Sequence, residues 1–331
     1  MNEQGGWPRY VTGMVTSRDG TVIGYRQAGH GPGIILLHGG MQAAQNLMRL
    51  AGALADAFTV YVPDRRGRGL SGPPGEHYSI DAECADVDAL ARATGAASLF
   101  GLSSGAIIAL QAALVLPAIR RVAVYEPPLS VNHSTPVSWV ARYDREVAAG
   151  RLGSAAITAI RGTRTAPPVL RLVPRALLEV PLNRAARASA HSSHTHSGGQ
   201  LPSRSPARQA MLRFLLWPLR KAAGQNASQD AAATGPGNVP LRELVPTMHY
   251  DVQLVTETEG RLPAFSAIPA EVLLLGGSKS PAYLKTTLGA LAGILPQARH
   301  IEFAGCGHLA PDNSGQPERV ARELRAFFAA G

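Results

Sequence analysis

The chain has 331 residues, of which 45% are hydrophobic, and it carries 32 Lys+Arg against 23 Asp+Glu. This composition supports a sizeable core and excludes a wholly disordered chain. Its two cysteines, Cys84 and Cys306, are too few for a multi-bridge disulfide framework or an all-cysteine zinc site. No run of about 18 apolar residues is present, so we expect no membrane insertion. The first residues lack the basic and apolar regions of a secretory signal, which favours a cytoplasmic location.

The formal net charge of +9 is concentrated in one segment of the chain. Residues 129–250 hold 15 basic and 5 acidic residues, whereas the remainder holds 17 and 18. A basic excess over a whole domain would favour nucleic acid, but an excess confined to one segment is more typical of a solvated surface. We therefore expect no nucleic-acid partner.

Strand and helix patterns alternate through the first 125 residues. Asp19-Gly20 is a hairpin signal between two β-rich stretches, and the following apolar runs without alternation are typical of strands buried on both faces. The patterns predict strands at 10–17, 21–27, 33–37, 59–64, 98–100 and 121–125, and helices at 42–57, 79–94 and 105–116. This alternation predicts an α/β fold with a mostly parallel central sheet and helices on both faces.

The pattern breaks near residue 129 and resumes later. Strands return at 271–275 and 300–303, with helices at 281–294 and 317–329. We predict that residues 1–128 and 251–331 form the core. Residues 129–250, called the insertion below, are predicted to form an Arg-rich helical lid over the carboxyl ends of the strands. A polar tract within the insertion predicts a flexible stretch near 189–207.

Residues 101–105 read GLSSG and lie between a predicted strand and a predicted helix. This is the context in which G-x-S-x-G forms a tight turn that exposes the serine hydroxyl above the sheet. Ser103 is therefore the predicted nucleophile. The backbone N–H of Ser104 opens the helix and is the first predicted oxyanion donor, since it points at the same space.

A serine nucleophile needs a base, and His308 follows the last predicted strand in the stretch GCGHL. Loops at the carboxyl ends of parallel strands share one edge of the sheet, so His308 and Ser103 are expected to meet there. His191, His194 and His196 lie in the polar tract without a structured partner, and we expect no metal site from them.

These motifs resemble the α/β-hydrolase superfamily over about residues 30–128 and 268–330. Residues 38–40, HGG, resemble its oxyanion turn, and residues 64–71, DRRGRGLS, resemble its D-x-R-G-x-G-x-S segment. The histidine loop and the order Ser, acid, His also resemble the family. The resemblance implies the fold and a serine triad, but it names no substrate.

The acid of the triad departs from the commoner pattern of the family. That acid usually follows the strand predicted here at 271–275, in a G-x-x-D-P context. Residues 277–281 read GSKSP and place Ser280 at the expected position. A hydroxyl cannot stabilise an imidazolium as a carboxylate does, so the acid must come from elsewhere.

Glu126 is the favoured acid because it ends the strand predicted at 121–125. Some superfamily members, among them certain haloalkane dehalogenases, place the acid after that earlier strand. Asp251, at the return of the insertion to the core, is the alternative. Asp312 is too close in sequence to His308 to be a confident partner.

The second oxyanion donor is predicted to be the backbone N–H of Gly40, because glycine lets the backbone approach a substrate oxygen closely. A shift of one residue would make it Met41 instead. His38 is expected to hydrogen-bond locally and hold this turn. The Arg-rich loop lacks G-x-x-x-x-G-K-[ST], and no G-x-G-x-x-G opens a first βα unit, so no cofactor is expected.

These residues predict a serine hydrolase of the carboxylesterase type that acts on a small-molecule acyl substrate through an acyl-enzyme. Thioester, lactone or C–C cleavage and acyl transfer need the same residues and remain alternatives. A hydrolase-fold ligand-binding receptor is a further alternative from a different class. The sequence does not determine the oligomeric state.

Overall fold

A computed structural model describes residues 8–165 and 238–329 and, between these ranges, only residues 174, 175 and 179. In this part of the chain eight strands form one sheet: β1 (Val11–Thr16), β2 (Val22–Gly29), β3 (Gly33–Leu37), β4 (Thr59–Pro63), β5 (Ser98–Leu102), β6 (Arg121–Tyr125), β7 (Glu271–Gly277) and β8 (Arg299–Phe303). Their order is β1-β2-β4-β3-β5-β6-β7-β8. β1 and β2 pair antiparallel, as does β2 with β4, and the other neighbours are parallel.

Helices cover both faces of this sheet. The described helices are α1 (Met48–Leu54), α2 (Ile80–Thr94), α3 (Ser104–Val115), α4 (Val140–Ala148), α5 (Leu152–Gly162), α6 (Leu241–Leu244), α7 (Met248–Glu257), α8 (Ala282–Ile294) and α9 (Pro317–Ala329). One core joins α2, α3 and α8 to the sheet, and a second core joins α1 and α9 to its other face. The predicted mostly parallel sheet with helices on both faces is confirmed.

The continuous apolar runs follow from this arrangement. Along β3, Ile35 and Leu37 pack in the first core, whereas Ile34 and Leu36 pack in the second. Successive side chains of a strand point to opposite faces, so a strand covered on both sides needs apolar residues at every position. All four of these side chains are buried.

Several predicted elements differ from the structure: β2 and β5 each run two residues further than predicted, through Gly29 and Leu102. Instead of one helix over 42–57, a 3-10 turn at Ala44–Leu47 precedes the short helix α1. The Asn46 side chain accepts a hydrogen bond from the Ala43 N–H (3.1 Å), and such a local bond competes with helix formation. Strand β7 also runs two residues further than predicted, through Gly276 and Gly277, which pair with β8 although glycine weakens a strand pattern.

Parts of the insertion are described. Helices α4 and α5 pack with the segment before α7 around a small cluster that contains Tyr143 and Val245, and the Tyr143 hydroxyl donates to the Val245 carbonyl. The tract at 189–207, with its three histidines, lies outside the described residues. The lid and the domain boundaries therefore stay predictions. None of the helices described here combines the length and hydropathy needed to cross a bilayer.

Candidate active site

Ser103 occupies a strained turn between β5 and α3. Its φ is 56°, a left-handed value that costs a non-glycine residue free energy, and its N–H donates to the Tyr125 carbonyl (2.9 Å). The turn is also tightly packed: a Cβ added at Gly105 would lie 2.5 Å from the His38 carbonyl oxygen, and one at Gly101 would strike the backbone of α3. A side chain at either of these glycines would therefore clash with the surrounding backbone.

His308 and Glu126 are joined by a hydrogen bond of 2.7 Å between Nδ1 and Oε2, and both side chains are buried. The other glutamate oxygen accepts the N–H of Gly277 (2.6 Å). The Tyr125 hydroxyl donates to the Gly307 carbonyl (2.9 Å) and so anchors the histidine loop. With Nδ1 engaged by the carboxylate, Nε2 is the ring nitrogen left for proton exchange.

Strand β7 makes room for this glutamate. A Cβ added at Gly276 would lie 2.5 Å from Leu288 Cδ1 and 3.2 Å from Glu126 Oε1. Ser280, at the usual position of the acid, is buried, and its hydroxyl has no hydrogen-bond partner among the described residues. The carboxylate therefore reaches the histidine from β6, across the bare backbone of β7. Sequence reasoning missed Gly276, although two glycines at a strand end are a signal of close approach.

Asp251, the alternative acid, lies on α7 and has different partners. Its Oδ1 accepts from Ser104 Oγ (2.8 Å) and Arg65 Nη1 (2.8 Å), and its Oδ2 accepts from Arg68 Nη2 (2.7 Å). Burial alone would raise the pKa of Asp251, but the charges of Arg68 and Arg65 lower it to about 2. The structure brings Glu126, and not Asp251, to His308.

His38 anchors the predicted oxyanion turn, residues 38–40, through both ring nitrogens. Its Nε2 accepts the N–H of Arg65 (3.2 Å), so Nδ1 carries the proton and donates to the Gly39 carbonyl (3.0 Å). Burial, with the charges of Arg68 and Arg65, keeps the pKa of His38 well below its ordinary value, so the ring is neutral. Because a trans peptide sets its C=O and N–H in opposite directions, this bond turns the Gly40 N–H away from His38.

Gln42 links the same turn to Asp312, in the segment that follows His308. Its Oε1 accepts the N–H of Gly39 (2.9 Å), and its Nε2 donates to Asp312 Oδ2 (2.8 Å). A Cβ added at Gly39 would lie 3.0 Å from Ser103 Cβ, and Met41 has a φ of 52°. Asp312, through Gln42, therefore supports the predicted oxyanion turn, and sequence reasoning missed both residues. No local motif marks a contact between residues 270 positions apart.

One pocket of about 950 Å³, including its open mouth, is lined by the predicted residues other than Glu126. Ser103, Ser104, Gly40, Met41 and His308 all line it, and Asp251 borders it from α7. Within the described part of the chain, no hydrogen bond joins Ser103 to His308; such bonds often tighten only when substrate binds. The apolar wall comes from the core and the insertion: Leu102, Pro128, Pro136, Val137, Trp139, Ile160, Met248, Val252, Val255 and Leu309.

Candidate metal ligands are not clustered in the residues described here, where no group of three or more His, Cys, Asp or Glu side chains could hold an ion. Cys306, which precedes the histidine loop, is buried and lies 3.3 Å from Arg319 Nη1. Ser103, His308 and the main-chain N–H groups around them remain the candidate reactive groups of the pocket.

Comparison with known proteins agrees with the fold of this chain. A family model described as the alpha/beta hydrolase fold matches residues 32–314. A solved α/β hydrolase from Sphaerobacter thermophilus DSM 20745 superposes with a TM-score of 0.65 and 26% identity, covering 96% of this chain and all of the other.

Two curated relatives match shorter stretches. N-formylmaleamate deformylase of Pseudomonas putida KT2440 is 38% identical over 126 residues, which are 37% of this chain and 47% of the relative. An uncharacterized hydrolase of Bacillus subtilis strain 168 is 35% identical over 114 residues, 33% of this chain and 42% of the relative. The chain thus spans less than half the length of either curated relative in these matches.

Proposed function

Because the chain belongs to the α/β-hydrolase fold family, we propose that it is a serine hydrolase that cleaves a carboxylic ester with Ser103, His308 and Glu126. The observation that carries the proposal is the 2.7 Å bond between His308 Nδ1 and Glu126 Oε2, beside a pocket that also contains the strained Ser103. A buried carboxylate on a histidine near a nucleophile elbow is the arrangement that activates a serine hydroxyl.

In the acylation step, Ser103 Oγ attacks the acyl carbon while His308 Nε2 takes the hydroxyl proton. The imidazolium that forms is stabilised by Glu126, which also holds the ring in the correct tautomer. The carbonyl oxygen becomes negatively charged and accepts hydrogen bonds from the backbone N–H groups of Ser104 and Gly40. When the tetrahedral intermediate collapses, the C–O bond to the alcohol breaks and His308 donates its proton to the departing oxygen.

Deacylation repeats these steps with water. His308 removes a proton from water, the hydroxide adds to the acyl-enzyme, and the same N–H groups stabilise the second oxyanion. Ser103 then leaves as the alcohol and recovers its proton from His308, so the free acid is released and the enzyme is regenerated. The insertion, as a lid, would supply the apolar wall that keeps other water from the acyl-enzyme.

Hydrolysis of an N-acyl amide is a second candidate, favoured by the 38% identity to the deformylase over part of its length. The same residues perform it, with an amine in place of the alcohol as leaving group. Thioester, lactone and C–C cleavage and acyl transfer also share these residues, because only the pocket distinguishes them.

The test is steady-state turnover of p-nitrophenyl esters of increasing acyl length, with an N-formyl amide assayed alongside by formate release. We expect many turnovers per enzyme and an almost complete loss of kcat in Ser103→Ala, about 10⁶-fold by analogy with other serine triads. Ser266→Ala, an exposed serine outside the pocket, is the matched control. Wild-type rates in Ser103→Ala would contradict the proposal, and a single turnover would favour the receptor alternative.

A further inference from the structure

Three buried arginines follow β4, and two of them, Arg65 and Arg68, bind Asp251 in the wall of the pocket. Arg65 and Arg68 are 2% and 3% exposed, respectively. Both occupy variable positions of the D-x-R-G-x-G-x-S segment, whereas Arg66 is the arginine that this pattern itself contains. Arg66 pairs with Asp86 (2.6 Å) away from the pocket, so the two kinds of arginine can be compared within one loop.

Asp251 connects these arginines to the first oxyanion donor. The Ser104 hydroxyl donates to Asp251 Oδ1 (2.8 Å) and accepts from Arg65 Nη1 (3.1 Å). Arg65 also donates to the same carboxylate oxygen (2.8 Å), which closes a triangle of three bonds. Because Ser104 opens α3, fixing its side chain fixes the position of the backbone N–H that faces the oxyanion.

The same carboxylate lies against the second donor residue. A Cβ added at Gly40 would lie 3.1 Å from Asp251 Oδ2 and 2.9 Å from Met248 Sδ. Helix α7 therefore rests directly on the backbone of the oxyanion turn. Arg65 Nη1 also reaches the His38 carbonyl at 3.5 Å, just before that turn.

Stability alone is a weak explanation for this cluster. A buried ion pair gains little over an apolar replacement because desolvation of the charges offsets their attraction. Here Arg68 Nη1 is also buried without a hydrogen-bond partner in the described part of the chain. What the cluster supplies is a defined geometry, in which the charges of Arg65 and Arg68 are balanced by Asp251 and by Glu83, the second buried carboxylate on Arg65 (2.7 Å).

We propose that Asp251, bound to Arg65 and Arg68, is a positioning residue of the oxyanion hole that aligns the N–H groups of Ser104 and Gly40. It acts through these donors and takes no part in proton transfer. It also connects α7, whose Met248, Val252 and Val255 line the pocket, to the reacting centre. The inference rests on the proposed serine hydrolase function.

The first test compares Asp251→Asn with wild type on a p-nitrophenyl ester. An amide of the same shape cannot accept from both arginines and the hydroxyl, so the donors lose their alignment. We expect kcat to fall about tenfold to 100-fold, less than the ~10²–10³ typical for complete loss of a donor, with KM within about twofold. Asp86→Asn, which breaks the matched pair with Arg66, should lower the melting temperature and leave kcat unchanged.

The second test removes only the hydroxyl. Ser104→Ala keeps the ion pairs and the backbone N–H, and we expect kcat to fall several-fold at constant KM. In the double variant the two losses should not multiply, because both act through the Ser104–Asp251 bond. This coupling in kcat is a readout that a merely structural aspartate would not produce.

Several results would overturn the inference. One is a wild-type kcat in Asp251→Asn together with a melting temperature lowered as in Asp86→Asn. Another is independent, multiplying effects in the double variant. If Asp251→Asn does not fold, a wild-type kcat in Ser104→Ala overturns it instead. Absence of Ser103-dependent turnover in the wild-type protein overturns the proposed function as well, whereas these other results leave that function intact.

Discussion

Two buried carboxylates lie at the candidate site, Asp251 in the pocket wall and Glu126 on His308, and their partners differ completely. Glu126 hydrogen-bonds a histidine ring and a backbone N–H, whereas Asp251 bonds two guanidinium groups and a hydroxyl. The charge of Glu126 is thus available to an imidazolium on His308, while that of Asp251 is already balanced by arginines. The comparison teaches that the set of partners, and not the residue type, assigns a carboxylate its role.

The largest expected effect on kcat in this comparison comes from replacing Glu126, the first of the two carboxylates. In Glu126→Gln the neutral amide cannot stabilise an imidazolium and no longer selects the productive tautomer, so we expect kcat to fall about 10⁴-fold. Steady-state turnover of a p-nitrophenyl ester measures it. Glu302→Gln, which alters an exposed carboxylate on β8, should retain wild-type activity. A smaller loss in Glu126→Gln than in Asp251→Asn would reverse the two roles.

A smaller effect is expected at the strand that makes room for Glu126. Gly276→Ala places a methyl group 2.5 Å from Leu288 Cδ1 and beside the Glu126 carboxylate. Such overpacking costs about 1–3 kcal/mol of the free energy of unfolding, and the displaced carboxylate should lower kcat roughly tenfold. Denaturant unfolding measures the free energy of unfolding, and ester turnover measures kcat.

The matched control for that substitution lies on α8. A Cβ at Gly289 meets nothing within 4 Å, so Gly289→Ala should leave activity unchanged. It should raise the free energy of unfolding by about 0.4–1 kcal/mol, since alanine favours a helix. Equal activity in the two glycine variants would show that Glu126 does not depend on the bare backbone of β7.

A still smaller effect on kcat is expected when the loop that carries His308 loses a hydrogen bond. Tyr125→Phe removes the hydrogen bond to the Gly307 carbonyl, so the histidine loop loses one anchor while Glu126 keeps its bond to His308. We expect a loss of about 1 kcal/mol in the free energy of unfolding and a few-fold lower kcat. Tyr61→Phe, on β4 outside the pocket, is the control. An unchanged kcat in Tyr125→Phe would mean that the loop is held adequately without it.

The smallest expected effect concerns acid stability at Asp251. The pKa of this carboxyl is about 2 in the folded protein, against an ordinary value of 3.8, so the unfolded chain binds more protons over this interval. Its contribution to stability is therefore complete above about pH 4 and is lost as the pH falls towards about 2. Urea unfolding at about pH 5 and pH 3 should show a steeper loss in wild type than in Asp251→Asn. Equal losses would contradict the ion pairing.

Local patterns were sufficient for much of the fold and part of the site. The apolar runs marked the buried strands of the sheet, and the stretch GLSSG placed Ser103 on a strand-to-helix turn, because both signals lie within a few neighbouring residues. The two-residue extension of β7 was missed because glycine carries no strand preference. What extends the strand is its pairing with β8.

The sequence by itself determined the element order, the strained serine turn and a histidine loop at the same edge of the sheet. It left two acids open, because the bond between Glu126 and His308 joins residues 182 positions apart and that between Arg65 and Asp251 spans 186. Only the tertiary structure decided these pairings. The pairing of strands β6 and β7 places Glu126 beside the histidine. The packing of α7 on the predicted oxyanion turn places Asp251 beside the arginines, because a buried charge needs a partner nearby.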